Sequence, residues 1–355
     1  MIDDLVNVAD FERRAAELLD PGVHGYYAGG AGDERTLRDN VAAFGRYRLR
    51  PRVLVDVSGV SAATTVAGSE VSMPLLVAPT ALHRLAHPDG EPATARAAAA
   101  AGTIFTLSTL ATSRPREVCA QAPDAPRWFQ LYVLRDRGVS RALIDEATEC
   151  GFAAIVLTVD APRAGRRERD LRTGFAVPPE VSMPAIDAAV GGPSSLTPVE
   201  FFSLVDESLT WPELERLASD CDLPVLVKGV HTAEDARLAA DHGAAGVIVS
   251  NHGGRQLDGV PAALDMLPEV AEAVGDRLEV LMDGGVRRGT DVLVALALGA
   301  RAVLVGRPLL WGLACGGEAG ALRVLETLRA EIELGLTLLG AASPAEVTRD
   351  HVRPA

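Results

Sequence analysis

Aromatic side chains are scarce in this chain: three Trp, four Tyr and eight Phe among 355 residues. The stretch VPPEVSMPAIDAAVGGPSS has none, and no Lys or Arg either, which excludes a membrane-anchoring segment there. Cysteine is scarcer still. Cys119, Cys150, Cys221 and Cys315 stand far apart without C-x-x-C spacing and read as reduced thiols rather than a disulfide framework. No uncharged apolar run reaches the ~20 residues that a membrane crossing needs. The best candidate, VLVALALGARAVLVG, is interrupted by Arg301. The seven histidines show neither HExxH nor HxH spacing, so no metal site is expected. Positive charge is also in deficit, with 34 Lys and Arg against 48 Asp and Glu for a formal charge of -14. Such a surface repels nucleic acid and anionic lipid, and neither is expected as a partner. The start, MIDDLVNVAD, is acidic where an export signal is basic, and HVRPA is not a peroxisomal address, so a cytoplasmic protein is expected.

What recurs instead is a short, β-branched, apolar run. There are eight: MPLLVAPTA (73–81), TIFTLST (103–109), RWFQLYV (127–133), AAIVLTVD (153–160), PVLVKGV (224–230), GVIVSNHG (246–253), LEVLMDGG (278–285) and AVLVGRP (302–308). Continuous rather than alternating apolar character points to strands buried on both faces, hence to a parallel sheet. Ala-rich helical segments such as GEPATARAAAAAG and TAEDARLAADHG lie between them. Eight strand–helix units predict an α/β protein with one (β/α)8 barrel domain over 1–355. A doubly wound open sheet would want GxGxxG after the first strand, and LVAPTALHRL has none. Residues 1–72 are an N-terminal extension with a helix near 8–19 stopped before Pro21. Residues 163–212, after the fourth strand, read as a long loop or lid over the active site. A closing helix is expected over 317–340.

In such a barrel the C-terminal strand ends carry the chemistry. Here all eight end in polar or glycine-rich groups. Pro79, Thr80 and Ala81 end the first, Ser108 the second, Gln130 and Tyr132 the third, Thr158 and Asp160 the fourth. Lys228 ends the fifth, Ser250, His252 and Arg255 the sixth, Asp283, Gly285 and Arg287 the seventh, Gly306 and Arg307 the eighth. Any one of these is an ordinary strand terminus meeting water. Eight in succession are not. The glycines and arginines of DGGVRRG and VGRP read as a phosphate grip, with one of Arg287 and Arg288 pointing inward. Lys228 suits either a Schiff-base nucleophile or a fixed charge beside an anionic cofactor. Ser108, Gln130, Thr158 and Ser250 offer the neutral hydrogen bonds of a flat heterocycle, which favours flavin mononucleotide over a sugar phosphate. His252 can take a proton, with Asp160 as its partner, and Arg255 can hold a carboxylate. His83 is expected near the mouth; His24, His231, His242 and His351 are expected at the surface.

These segments resemble the FMN-dependent 2-hydroxy acid oxidases and dehydrogenases, the glycolate, lactate and mandelate oxidase group. The likeness rests on SNHGGRQLD (250–258), YYAGGAGDERTL (26–37), MPLLVAPTALHRLAHPDGE (73–91), FQLYVLRDR (129–137), LTVDAPRAGRRERD (157–170), LVKGVHTAEDARLA (226–239) and LMDGGVRRGTDVLVALALGA (281–300). It implies an FMN cofactor and oxidation of an (S)-2-hydroxy acid to a 2-keto acid, dioxygen being reduced to hydrogen peroxide. Under it Tyr26, Arg167 and Arg255 hold the substrate carboxylate, Tyr132 meets the hydroxyl, and His252 is the base. Lys228 stabilises the reduced flavin; Pro79, Thr80, Ala81, Ser108, Gln130, Thr158 and Ser250 line the ring. Asp283 holds the ribityl chain, and Gly285, Arg287, Gly306 and Arg307 the phosphate. A homotetramer or octamer is expected. Leu110 stands where glycolate-oxidising relatives carry tryptophan, Ala164 where a bulky residue is common, and His83 where glutamine is common. The first two departures open room for an aryl or medium-to-long substrate side chain. A quinone- or cytochrome-reducing dehydrogenase, and a non-catalytic phosphate-binding barrel, are the alternatives.

Overall fold

Eight strands close a wholly parallel barrel: β1 (Leu75–Thr80), β2 (Phe105–Ser108), β3 (Arg127–Leu131), β4 (Ala154–Thr158), β5 (Val225–Val230), β6 (Gly246–Val249), β7 (Glu279–Asp283) and β8 (Ala302–Val305). They pair in sequence order, and Val303, Leu304 and Val305 of β8 close the ring on Leu75, Leu76 and Val77 of β1. The computed structural model describes residues 2–192 and 197–355. The (β/α)8 expectation holds, and each strand lies inside its apolar run.

Side chains along the strands alternate between two cores, as the two-residue period requires. Leu76, Ile104, Trp128, Val156, Leu226, Ile248, Leu281 and Leu304 fill the barrel interior. Their neighbours, such as Leu75, Leu107, Phe129, Leu157, Val227 and Val249, face the helical layer. The hairpin Thr64–Val66/Ser69–Val71 of the N-terminal extension pushes Val66 and Val71 into the interior cluster. Its tip donates Ala67 N–H to Glu279 at the start of β7, so it plugs the N-terminal end and leaves the opposite mouth for chemistry.

Three elements differ from the sequence reading. Pro21 does not merely stop the first helix, Val8–Leu18. It starts another, Pro21–Ala28, because Asp20 caps Gly22 N–H and proline fits the first helical position. The closing helix begins at Arg307 and runs to Leu339, broken at Gly316 and Gly317. The expected 317–340 is its second half. A Cβ on Gly317 (φ 58°) would come within 2.9 Å of the His87 ring, so glycine permits the break.

The segment after β4 is also more regular than expected. It holds the helices Glu168–Thr173, Pro184–Val190 and Pro198–Phe201, a 3-10 turn Phe202–Leu204 and the start of the helix Trp211–Asp220. Pieces this short cannot show a 3.6-residue period, which is why they read as loop. Residues 193–196 of the expected lid lie outside the described residues. Among the described residues no helix is long and apolar enough to cross a membrane.

Candidate active site

All eight strand ends open onto one cavity. On its β7–β8 side the backbone does much of the shaping. Gly284 (φ 98°) and Gly285 (φ 86°) turn the chain after Asp283, and a Cβ on Gly285 would lie 2.0 Å from the Asn40 carbonyl oxygen. Only glycine fits there. Arg287 lines the cavity, whereas Arg288 turns outward and pairs with Glu331 at 3.0 Å. Gly306 and Arg307 complete this side. The Arg307 guanidinium donates to the carbonyls of Tyr27 (2.9 Å), Gly29 (2.8 Å) and Gly253 (3.0 Å). Burial, with Arg255 and Arg287 as like-charged neighbours, pulls its pKa well below the usual value. Burial lowers Arg287 too. Two desolvated cations set on a glycine cradle make a site for a strongly anionic group.

At the centre, Lys228 is buried, with its Nζ 3.0 Å from Asp283 and donating to Ser250 Oγ at 2.9 Å. Ser250 donates onward to Asp283 at 2.6 Å. Burial opposes the ammonium charge, but Asp283 and Asp160 outweigh burial and raise the pKa of Lys228. Lys228 stays a cation, which suits a fixed charge rather than a Schiff-base amine. Beside it, Gln130 donates to Thr158 Oγ1 (3.1 Å) and accepts from Ser108 Oγ (3.1 Å), a flat polar wall with its rotamers fixed.

On the β4–β6 side, His252 adopts φ 59°, rare for a residue with a Cβ, and is followed by Gly253 and Gly254 at 61° and 75°. The turn is held by Ser250 Oγ, which accepts His252 N–H, and by Asn251, whose side chain accepts Gly254 N–H at 3.1 Å and pairs with Asn40. It aims the imidazole into the cavity. Nδ1 meets Asp160 at 3.0 Å, and Nε2 lies 3.5 Å from the Tyr132 hydroxyl. Burial, with Lys228 and Arg167 nearby, lowers the pKa of His252 against the pull of Asp160, so at neutral pH the ring is a neutral base. Burial alone would raise the Asp160 carboxyl; His252, Lys228 and His231 bring it below its ordinary value. Arg255 donates to the carbonyls of Tyr26 (2.5 Å) and Gly29 (3.0 Å) and lies 4.9 Å from the Tyr26 ring centroid. Burial and repulsion from Arg167 bring its pKa down to about 10, so it remains charged at neutral pH. Arg167 Nε and Asp160 Oδ2 are buried without a hydrogen bond in the protein.

The cavity wall therefore gathers Tyr26, Pro79, Thr80, Ala81, Ser108, Leu110, Gln130, Tyr132, Thr158 and Arg167, with Lys228, His252, Arg255, Asp283, Gly285, Arg287, Gly306 and Arg307. Asp160 and Ser250 do not line it; they stand behind His252 and Lys228. Ala164 does not line it either. It lies half-buried against the core beside Gly165, where a Cβ would sit 2.2 Å from the Arg255 carbonyl oxygen. One histidine differs from expectation and another is placed more closely. His231 is no free surface residue, since its Nε2 lies 2.7 Å from the Ser250 carbonyl oxygen. His83 is fully buried behind Thr80, between that hydroxyl (2.5 Å) and the Thr94 hydroxyl (3.0 Å). Missed altogether were Tyr27, whose hydroxyl donates to the Leu82 carbonyl, and Phe202, which reaches the wall from the segment after β4. The one signal for Phe202 was an aromatic doublet, Phe201–Phe202, in a chain poor in aromatics.

The family model described as FMN-dependent dehydrogenase matches residues 15–354. Glycolate oxidase 3 of Arabidopsis thaliana is 50% identical over 355 residues, covering 99% of this chain and 96% of its own length. Glycolate oxidase of Spinacia oleracea is 49% identical, covering 98% of this chain and 96% of its own. The solved structure of mandelate oxidase with (S)-4-hydroxymandelic acid is 42% identical, with a TM-score of 0.93 and 99% of both chains covered.

Proposed function

The chain belongs to the FMN-dependent dehydrogenase family, and we propose that it oxidises an (S)-2-hydroxy acid with an aryl or medium-to-long side chain to the 2-keto acid, dioxygen being reduced to hydrogen peroxide. The observation that carries this reading is the His252–Asp160 pair facing Arg255 and Arg167 in the cavity that also holds Lys228 and the two phosphate-side arginines.

The donor set fits FMN. Arg287, Arg307 and the Gly284–Gly285 turn would hold its phosphate, Asp283 its polar chain, and the Gln130–Thr158–Ser108 wall its ring edge. The chemistry FMN supplies when bound is two-electron acceptance, with dioxygen as the final acceptor. The protein's part is charge and proton placement. Lys228, kept cationic by Asp283, favours negative charge at the cofactor edge it meets. Arg255 and Arg167 pin the substrate carboxylate; the orphaned Arg167 Nε supplies a donor already desolvated. Tyr132 and His252 Nε2, 3.5 Å apart, meet the hydroxyl at C2. His252 takes the proton, and Asp160 at its Nδ1 holds the tautomer and stabilises the imidazolium that forms. The segment 163–212 would act as a lid over this arrangement.

Relatives alone do not choose the substrate, since the glycolate oxidases are the more identical and a mandelate oxidase superposes closely. The wall decides. Leu110 lines the cavity, and an isobutyl group there would leave room for a ring or several methylenes. Each buried methylene contributes about 0.8 kcal/mol. The test is a panel of (S)-2-hydroxy acids mixed with the holoenzyme under argon, followed by admission of air. The expected result is bleaching of the flavin band by mandelate-like acids, then recovery in air with one peroxide per turnover. Bleaching by no 2-hydroxy acid would overturn the reaction, and bleaching without recovery in air would overturn dioxygen as acceptor.

A further inference from the structure

We propose that Phe202 is the specificity residue of this site and that it selects a flat aryl side chain over an aliphatic one of equal size, an inference that rests on the reading of the protein as a 2-hydroxy acid oxidase. In a chain with three Trp, four Tyr and eight Phe, Tyr26, Tyr27, Tyr132 and Phe202 all line the same cavity. Phe201 and Phe175 back them. Phe175 stacks on Tyr26 at 4.7 Å, and Phe201 lies 5.6 Å from Tyr132. These rings are part of the buried core, and four of them also present a face to the cavity.

Phe202 is held rigidly. It is 4% exposed and meets Tyr132 nearly edge-on (5.5 Å, 72°) and Phe201 likewise (5.4 Å, 70°). The backbone around it is tied to the residues that follow Tyr132. Arg135 N–H donates to the Leu204 carbonyl at 2.8 Å, and Asp206 N–H to the Val133 carbonyl at 2.9 Å. The ring is therefore not on a wandering part of the segment after β4, and a substrate meets it preformed.

Position then follows from chemistry. The carboxylate goes to Arg255 and Arg167, and the hydroxyl to His252 and Tyr132. With C2 facing the cofactor, its remaining substituent would turn away from the charged groups toward the uncharged lining residues, Leu110 and Phe202 among them. A phenyl group there meets the Phe202 ring in the tilted geometry that aromatic pairs favour. A straight alkyl chain or saturated ring of the same bulk gains only area.

The experiment compares kcat/KM for (S)-mandelate, (S)-hexahydromandelate and glycolate in wild type, Phe202→Leu and Phe202→Ala, with flavin absorbance and Tm recorded for each. Phe202→Leu keeps an apolar wall, so it should lower the mandelate-to-hexahydromandelate ratio by about 2- to 10-fold, the extra contribution of an aromatic pair. Phe202→Ala should lower the mandelate-to-glycolate ratio by about tenfold or more, chiefly through KM. If Phe202→Ala does not fold, Phe202→Leu decides. Ratios that stay put, or losses equal for all three acids, would overturn the inference and make Phe202 a support for Tyr132. A wild type that oxidises none of the three would instead overturn the reaction itself.

Discussion

The two sides of the barrel mouth are built differently. On the β7–β8 side every group sits within a few residues of a strand end: Asp283, Gly284, Gly285 and Arg287 after one strand, Gly306 and Arg307 after the next. Strand register and glycine turns fix them. On the β3–β4 side the wall combines Tyr132 with Phe202, which arrives from a distant 3-10 turn and is held by bonds to the Val133–Arg135 segment. Under the proposed function the first side would hold what does not vary, a phosphate. The second would face the part of the substrate that does vary, and it is made from the segment that can change without disturbing the barrel.

Substitutions on either side should separate along the same line. The largest effect is expected at the base between them. His252→Ala should keep FMN yet lose about 10²–10⁴-fold in kcat/KM, measured by stopped-flow flavin reduction. Because burial lowers the pKa of His252, the wild-type acid limb should fall below pH 6.5, activity persisting as pH drops until the ring protonates. A limb above 6.5 would contradict a buried neutral base. Next, Arg287→Ala removes a half-buried guanidinium from the glycine-rich side. It should weaken FMN binding to the apoprotein by about 10- to 100-fold, as loss of a charged hydrogen-bond partner does, with the mandelate-to-glycolate ratio unmoved. A shifted ratio would show that the two sides are coupled. The smallest effect is expected from Leu110→Trp, which fills the side-chain end and should tilt that ratio several-fold toward glycolate at constant FMN affinity. An unmoved ratio would place the substrate side chain elsewhere.

The same division explains what was legible in the sequence. Lys228, Asp283, Arg287 and Arg307 could be located because a buried parallel strand announces itself and its last residues inherit a known direction. Asp160 was read as the partner of His252 and Ser250 as a residue lining the ring, but that they stand behind His252 and Lys228 rather than at the wall depends on rotamers that pattern does not contain. That Ala164 sits half-buried against the core, next to a Gly165 with no room for a Cβ beside the Arg255 carbonyl, depends on packing between distant loops that pattern does not contain. Phe202 was missed because nothing local marks which loop residue folds inward; its position comes from bonds to the residues after β3.

The carbonyls of Tyr26, Tyr27 and Gly29 have a consequence for handling the protein. They accept from Arg255 and Arg307, so this short stretch of the N-terminal extension acts as part of the solvation shell of two half-buried cations. Undocking it would strip that shell and cofactor retention together. A ligand that binds only the docked form stabilises it in proportion to RT ln(1 + [L]/Kd). Proteolysis near residues 26–29 should therefore report flavin occupancy, fast in apoprotein and slow in holoprotein, with the amino-terminal segment serving as the molecule's own gauge of whether it is loaded.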